Sequence, residues 1–503
     1  MPTDDRDAGS YPHLGMSAEI FGRWGTQLLD GGQTADAVLA FEQAVRLHPA
    51  SAEAHNGLGV ALRLQGRIEE GIFHCREAVR LAPDMAEAHN NLGCLLEQSG
   101  QVEEAIVSLK HALRLKPDFA NAYSNLGLAL YRQHQHDEAA AHYRRAIALQ
   151  PDLADAHNNL GSVLFDLGRS DEALASFSEA IRLKPDYREP HWGRALVWLS
   201  LGEFDRGWPE FEWRLWPAEM RRGRQPRWDG SDLAGRTILL DAEQGLGDTL
   251  QFVRYGSRLR QQGGKVVLAC QPRLVPLLRT CCPCVDQVIA QGETAPFDVH
   301  LPLLSLPGVL GTTLETVPAE VPYLQPDPRL VEAWRAELAQ RDGFKIGIAW
   351  QGSPHHRGDR ERSIALAEFE PLARLPGVKL VSLQKGAGTE QLAGARERFS
   401  IVDFGERLDD EGPSGSGPFV DTAALMRSLD LVVSCDSAVC HLAGALGVPV
   451  WAAVSAAPDW RWLAQRDDSP WYPTLRLFRQ SQTGDWGTVF RRIASAAREL
   501  LGT

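Results

Sequence analysis

The chain has 503 residues, 44% of them apolar and 23% charged, with a net charge of −13. Such a length implies several domains, and the acidic balance argues against phosphate-backbone binding as the main business, since nucleic-acid binders carry a basic footprint. No apolar run approaches the roughly 20 residues that span a bilayer, and the opening MPTDDRDAGSYPHLG holds no apolar signal segment, so no membrane span and a cytoplasmic location are expected. The eight cysteines include one cluster, Cys281-Cys282-Pro283-Cys284, without the second ligand pair that a zinc site needs. Reduced, buried thiols and no metal are expected.

Residues 1–17 read as a flexible N-terminus. Beyond them Pro49, Pro83, Pro117, Pro151 and Pro185 stand 34 residues apart. Gly25, Gly59, Gly93, Gly127 and Gly161 keep the same step, as do Ala44, Ala78, Ala112, Ala146 and Ala180, and the small residues Ala37, Gly71, Ala105, Ala139 and Ala173. Small residues at fixed offsets let two antiparallel helices approach closely, and the proline ends the second helix before the next pair starts. This period is the signature of a tetratricopeptide (TPR) solenoid, here of five repeats. A sixth, degenerate and tryptophan-rich repeat keeps the register through His191, Ala195, Gly202 and Phe211, so the solenoid spans 18–216. It reads as an adaptor packing the solenoid onto the remainder of the chain. Residues 217–235, with the basic run Arg221–Arg227, read as an exposed linker.

From Thr237 the pattern becomes apolar strands alternating with helices, which implies parallel sheets with crossover helices. Strands are expected at Thr237–Asp241, Lys265–Ala269, Gln287–Ala290 and Asp298–Leu301 in a compact first half, residues 236–326. In the second half, residues 327–503, they are expected at Lys345–Trp350, Lys379–Gln384, Ile401–Phe404, Leu431–Ser434, Val450–Val454 and Leu475–Phe478. The fold class is therefore an α-solenoid followed by an α/β module of two Rossmann-like halves. Ligands in such sheets sit at the strands' C-terminal edges.

The most informative stretch is Leu431–Trp451: a strand, a turn at Cys435-Asp436-Ser437, a small-residue helix from Ala438, and a second strand. A helix N-terminus at a strand's C-terminal edge offers unpaired N–H groups to an anion, so Asp436, Ser437, Ala438 and His441 are candidates for holding a phosphate-bearing ligand. Any parallel α/β domain contains such units, with Ser437 then a helix cap and His441 a packed residue. A second turn, Glu243-Gln244-Gly245-Leu246-Gly247-Asp248, takes the same place in the first half, where Gly245 and Gly247 permit close backbone approach. Asp248 is either a general base for an acceptor hydroxyl or a helix cap, and His300 is either a competing base or structural. After Trp350, the loop Gln351–Ser363 gathers Ser353, Arg362, two further arginines and two histidines. It is a diphosphate clamp or a solvated loop, and Lys385 adds a cation there or points to solvent. Pro458–Trp462 and Ser469–Pro473 carry aromatics and Arg461 that either stack on a nucleobase or sugar or cap the sheet edge.

The C-terminal half resembles the GT-B glycosyltransferases, in particular family 9, the heptosyltransferase-like group. That family carries Asp-(Ser/Thr)-x-x-x-His-Leu-Ala-x-Ala-Leu at the donor site, matched by Asp436 to Leu446, and a Gly-Asp pair after its first strand, matched by Gly247-Asp248. Over Thr237–Leu501 the resemblance implies a GT-B-type module with Asp248 as base. A family lysine on the donor phosphate falls near Arg362, and a ribose-binding glutamate corresponds to Glu390. Joined to a TPR array, the module also resembles protein O-GlcNAc transferases and bacterial flagellin glycosyltransferases. In the former an asparagine ladder holds acceptor peptides. Asn91, Asn125 and Asn159 repeat at 34 and suit such a ladder, and TPR units that bind no extended peptide also carry Asn there.

The compressed first half departs from family 9, whose own acceptor would leave the solenoid unexplained. The expectation is an inverting glycosyltransferase that moves a sugar from a nucleotide sugar to Ser or Thr of a protein bound by the TPR concave face. The nucleotide sugar is a substrate and no cofactor is implied. No Asp-x-Asp motif occurs in the catalytic half, so metal independence is expected. The alternative is a non-catalytic TPR scaffold with a degenerate, nucleotide-binding module.

Overall fold

The computed structural model describes residues 17–215, 225–355, 358–409, 415 and 417–502. The chain divides into two compact units, one ending at Pro190 and the other starting at His191.

The first unit is helical, with ten helices in five pairs from Ala18–Asp30 to Ser170–Leu183. The glycine of each first helix faces a second-helix side chain sixteen residues on: Gly25 meets Phe41, Gly59 Cys75, Gly93 Leu109, Gly127 Tyr143 and Gly161 Phe177. A Cβ at these glycines would lie only 2.8, 2.4, 2.5, 2.9 and 2.8 Å from the facing side chain. The repeat therefore needs glycine there because the helices touch. Gly32, Gly66, Gly100 and Gly168 end each first helix at φ between 71° and 81°, and His134 stands at the equivalent place with φ 60°. The rings of His55, His89 and His157 donate from Nε2 to the carbonyls of Pro49, Pro83 and Pro151 at 3.2, 2.9 and 3.0 Å. Three of the five first helices are thereby tied to the proline that ended the pair before them.

The next helix pair, Arg188–Leu201 and Phe204–Phe211, lies in the second unit from His191 on and carries the sixth repeat's register. Trp208 is buried, donates from its indole to the carbonyl of Thr312 at 2.9 Å, and packs edge-on against Trp460. Gly245 opens a helix at Leu246, so Asp248 lies one turn inside it. Arg227, expected in an exposed linker, bonds Glu212 and Ser305; Arg221 to Arg224 lie outside the described residues.

Two all-parallel sheets follow. The first holds β1 (Thr237–Asp241), β2 (Lys265–Cys270), β3 (Gln287–Ala290) and β4 (Val299–Pro302) in the order β3-β2-β1-β4. The second holds β5 (Phe344–Ala349), β6 (Val378–Ser382), β7 (Ile401–Val402), β8 (Leu431–Cys435), β9 (Val450–Val454) and β10 (Leu475–Arg479) in the order β10-β9-β8-β5-β6-β7. Central strands such as β8 and β9 are buried along their whole length, as a sheet covered on both faces requires. One apolar core runs through both halves, with Leu250, Phe252 and Leu268 from the first and Leu442, Ala445 and Val450 from the second. Among the described residues no helix is long and apolar enough to cross a membrane.

The glycine contacts give a direct check on the solenoid. Gly127→Ala drives a methyl into the Tyr143 ring, and overpacking of this kind is expected to cost about 1–3 kcal/mol, read as a lower denaturation midpoint of the first unit.

Candidate functional site

The strand order fixes where a site can form. In the first sheet β1 lies between β2 and β4, and in the second β5 lies between β8 and β6, so the strand order reverses beside β1 and beside β5. Crevices open at such reversals, beyond the strands' C-terminal ends. The loops after β1, β5 and β8 carry the Gly247-Asp248 turn, Gly352 to Arg362, and Asp436-Ser437.

In the first half, Gln244 adopts φ 63° and turns the chain into the helix Leu246–Phe252. Asp248 accepts the N–H of Gly245 on Oδ2 at 2.8 Å, which caps the helix through its own first turn. Its other oxygen, Oδ1, accepts from the Arg461 guanidinium of the second half. Asp248 is thus both a cap and a charged group turned toward the opposite half. Burial lifts its carboxyl above the usual range, and the Arg461 charge counters only part of that shift. Gly247 packs on His441: a Cβ there would come within 2.7 Å of the imidazole Cδ2.

In the second half, Ser437 occupies the N-cap position of the helix Ala438–Ala445, yet its hydroxyl makes no capping bond and instead meets Ser434 Oγ at 3.3 Å. Among the described residues the N–H groups of Ala438 and Val439 have no acceptor; the first donor engaged is Cys440, to the Ser437 carbonyl at 3.0 Å. Two donors therefore remain open at the positive end of this helix. His441 is buried, stacks on Trp462 and shares a 3.0 Å hydrogen bond between Nδ1 and the Tyr472 hydroxyl. Burial, reinforced by the Arg461 charge, pushes its pKa down to about 3, so the ring is neutral.

Arg461 links the halves. It donates from Nη1 to Asp459 at 2.7 Å, lies over the Trp460 ring at 4.6 Å, and reaches Asp248 with Nη2. Burial opposes ionisation of Asp459, but the bonded guanidinium outweighs this and holds it below the usual carboxylate range. Asp436 behaves oppositely: burial and then repulsion from Asp459 raise it to about 6. Arg362 packs against Gly352, where a Cβ would lie 2.6 Å from its Nη2, and its charge is felt at Asp436 and Cys435. Gln384 ties neighbouring loops together, accepting from the N–H of Trp350 and Gln351 at 3.0 and 3.1 Å and donating to the carbonyls of Gln351 and Ala387.

The other candidates lie apart from this cluster in their contacts. Ser353 is exposed, and the adjoining His356 and Arg357 lie outside the described residues. Lys385 donates to the carbonyls of Gly405 and Leu408 at 3.2 and 2.8 Å, so its charge pins the turn after β7. Glu390 is exposed at the start of the helix Gln391–Arg396. His300 is buried within β4, opposite Leu239 and edge-on to Phe297. Trp460 and Trp471 are buried against Phe204 and Phe252, and Trp462 and Tyr472 against His441, so all four form a buried cap over the sheet edge rather than an exposed stacking platform.

In the first unit, Asn91 donates to Asn56 and Asn125 to Asn90, each at 2.9 Å, while Asn159 accepts from Asn158 at 3.2 Å. The first two bonds staple successive repeats through part of each amide.

Arg461 and Asp459 as the hinge of the cluster were not apparent from sequence. The signal was present in Asp459-Trp460-Arg461-Trp462, because a charge enclosed by tryptophans must find an opposite charge. A second ion group, in which Arg214 donates to Glu243 at 3.0 Å and to Glu212 and Ser305 at 2.9 Å each, buttresses the residue just before the Gln244 turn.

A tetratricopeptide repeat model matches residues 23–86, 124–188 and 158–207, and a second TPR repeat model matches 95–134. The N-terminal part is a TPR solenoid, followed by an α/β module. The chain is 32% identical over 320 residues to Protein FlbA of Caulobacter vibrioides, covering 58% of this chain and 52% of FlbA. It thus spans about half the length of the curated relative it matches. Among solved structures it is similar to TTC0263, a thermophilic TPR protein of Thermus thermophilus, with 25% identity, 36% of this chain, 100% of that chain and a TM-score of 0.33. It is also similar to MamA of Desulfovibrio magneticus, with 21% identity, 35% of this chain, 98% of that chain and a TM-score of 0.30.

The raised pKa of Asp436 gives a pH test. The folded state holds that proton more tightly than the unfolded chain, so the associated stability is fully present below about pH 3.9 and is lost as pH rises through about 6. Asp436→Asn, neutral throughout, should melt higher than the natural protein at pH 7.5, with the gain vanishing toward pH 4.

Proposed function

We propose that the α/β module is an inverting glycosyltransferase that uses a nucleotide sugar and a hydroxyl acceptor, Ser or Thr of a protein engaged by the solenoid. One juxtaposition carries this reading. Among the described residues the helix Ala438–Ala445 offers two open N–H donors just after Asp436, which feels the Arg362 charge, and the Asp248 helix of the other half packs on its His441. In this reading the donor's phosphates sit on the open N–H groups, with Arg362 and Arg461 as cations. Asp248 takes the hydroxyl proton, the acceptor oxygen bonds to the anomeric carbon, and the carbon–oxygen bond to phosphate breaks with its electron pair leaving on the nucleotide. TPR solenoids as a class present peptide-binding surfaces, and the partly used Asn91 and Asn125 amides retain capacity for an acceptor backbone.

A non-catalytic scaffold is the second reading, favoured by one observation: both Asp248 oxygens are engaged. Thermal shift against UDP-, ADP-, GDP- and CMP-sugars separates the two, since a ligand at ~100 times its Kd adds about 2.7 kcal/mol. Intact mass of co-expressed proteins then reads the transferred sugar. For the enzyme, Asp248→Asn should lower transfer by about 10²–10⁴-fold while nucleotide sugars still raise the melting point. Transfer at the natural rate removes Asp248 as base, and the absence of any shift across the panel leaves the scaffold.

A further inference from the structure

The proposed base is bound to a guanidinium, whose positive charge lowers its basicity toward the proton of an alcohol. We propose that Arg461 is a charge-exchange residue, pairing with Asp248 until a donor binds and then passing to the donor's diphosphate, so that donor binding itself releases the base. This rests on the glycosyltransferase reading above and adds an obligatory order, donor before acceptor.

Four observations carry it. The pair is desolvated, with the Arg461 side chain 7% and the Asp248 side chain 15% exposed, so an Asp248 freed of Arg461 without replacement would be a buried, unpaired charge. Arg461 is held independently of Asp248: its Nη1 is bonded to Asp459, and its plane rests on Trp460. The guanidinium can therefore change its Nη2 partner without leaving its seat. Its Nε–H is buried without an acceptor among the described residues, a donor with capacity for a further anion. Finally, it lies next to the donor helix, since its neighbour Trp462 stacks on His441 of that helix and its partner Asp248 adjoins Gly247, which packs on the same ring. A diphosphate in that position presents several oxygens to a planar fork already aimed at one carboxylate.

The exchange makes Asp248 a competitor of the diphosphate. Isothermal titration of the full chain with UDP, ADP, GDP and CDP tests this without any turnover. With whichever diphosphate binds, Asp248→Asn keeps the side-chain shape and an oxygen for the Gly245 N–H but removes the competing charge, and should tighten binding at least about fivefold. Arg461→Gln should weaken it about tenfold or more, and the double variant should match Arg461→Gln alone, because Asp248 acts on the ligand only through Arg461. Should Arg461→Gln fail to fold, the Asp248→Asn arm decides by itself. Binding that is unchanged or weaker in Asp248→Asn overturns the exchange and leaves the glycosyltransferase reading standing. Binding to neither the natural protein nor Asp248→Asn overturns both.

Discussion

The Asp248–Arg461 ion pair is the contact on which the arrangement of the α/β module depends. It joins the first turn of a helix in one half to the aromatic cap of the other, and it is largely shielded from water. Removing one partner of such a pair is expected to cost about 3–5 kcal/mol, because the survivor is left charged in a poorly solvated place. Around it the contacts come in layers. His441 fills the hollow that Gly247 leaves, Trp460 supports the guanidinium, and Asp459 fixes its far side.

Charge in this small region is not balanced by simple pairing. Three carboxylates, Asp248, Asp436 and Asp459, share one neighbourhood with Arg461 and Arg362. The result is a separation of roles: Asp459 stays ionised as the tether of Arg461, while Asp436, buried and repelled by Asp459, has its carboxyl raised to about 6. A neutral His441 completes a surface whose remaining polar capacity is mainly donors, the open N–H groups of the helix and the arginines. Such a surface suits an anion.

The two units obey different physics. In the solenoid, contacts repeat with the sequence, so stability is built from near-identical helix pairs, with glycine against a large side chain and histidine against a proline carbonyl. In the α/β module, contacts between residues hundreds of positions apart decide the site. The helix pair from Arg188 to Phe211 keeps the repeat's register yet buries its aromatics with the second unit, where Trp208 and Phe204 meet Trp460 and Trp471. The tryptophans that a sequence offers as stacking platforms are in this way consumed by the core.

Periodicity made the solenoid legible, since a spacing of 34 residues leaves one way for helices to pack, and strand–helix alternation located the ten strands to within a residue or two at most ends. The two glycine-bearing turns were legible as well, because a helix opening at a parallel strand's end must expose its first N–H groups. What sequence alone left open was every choice between two roles for one side chain. Whether Lys385 reaches a ligand or a carbonyl, whether Trp462 faces solvent or core, and which cation meets Asp248 depend on loops brought together at two points of sheet reversal. Local sequence sets propensity and period, whereas the partner of a buried charge is set by whatever tertiary packing places within hydrogen-bond reach. Arg461, 213 positions from Asp248, is such a partner.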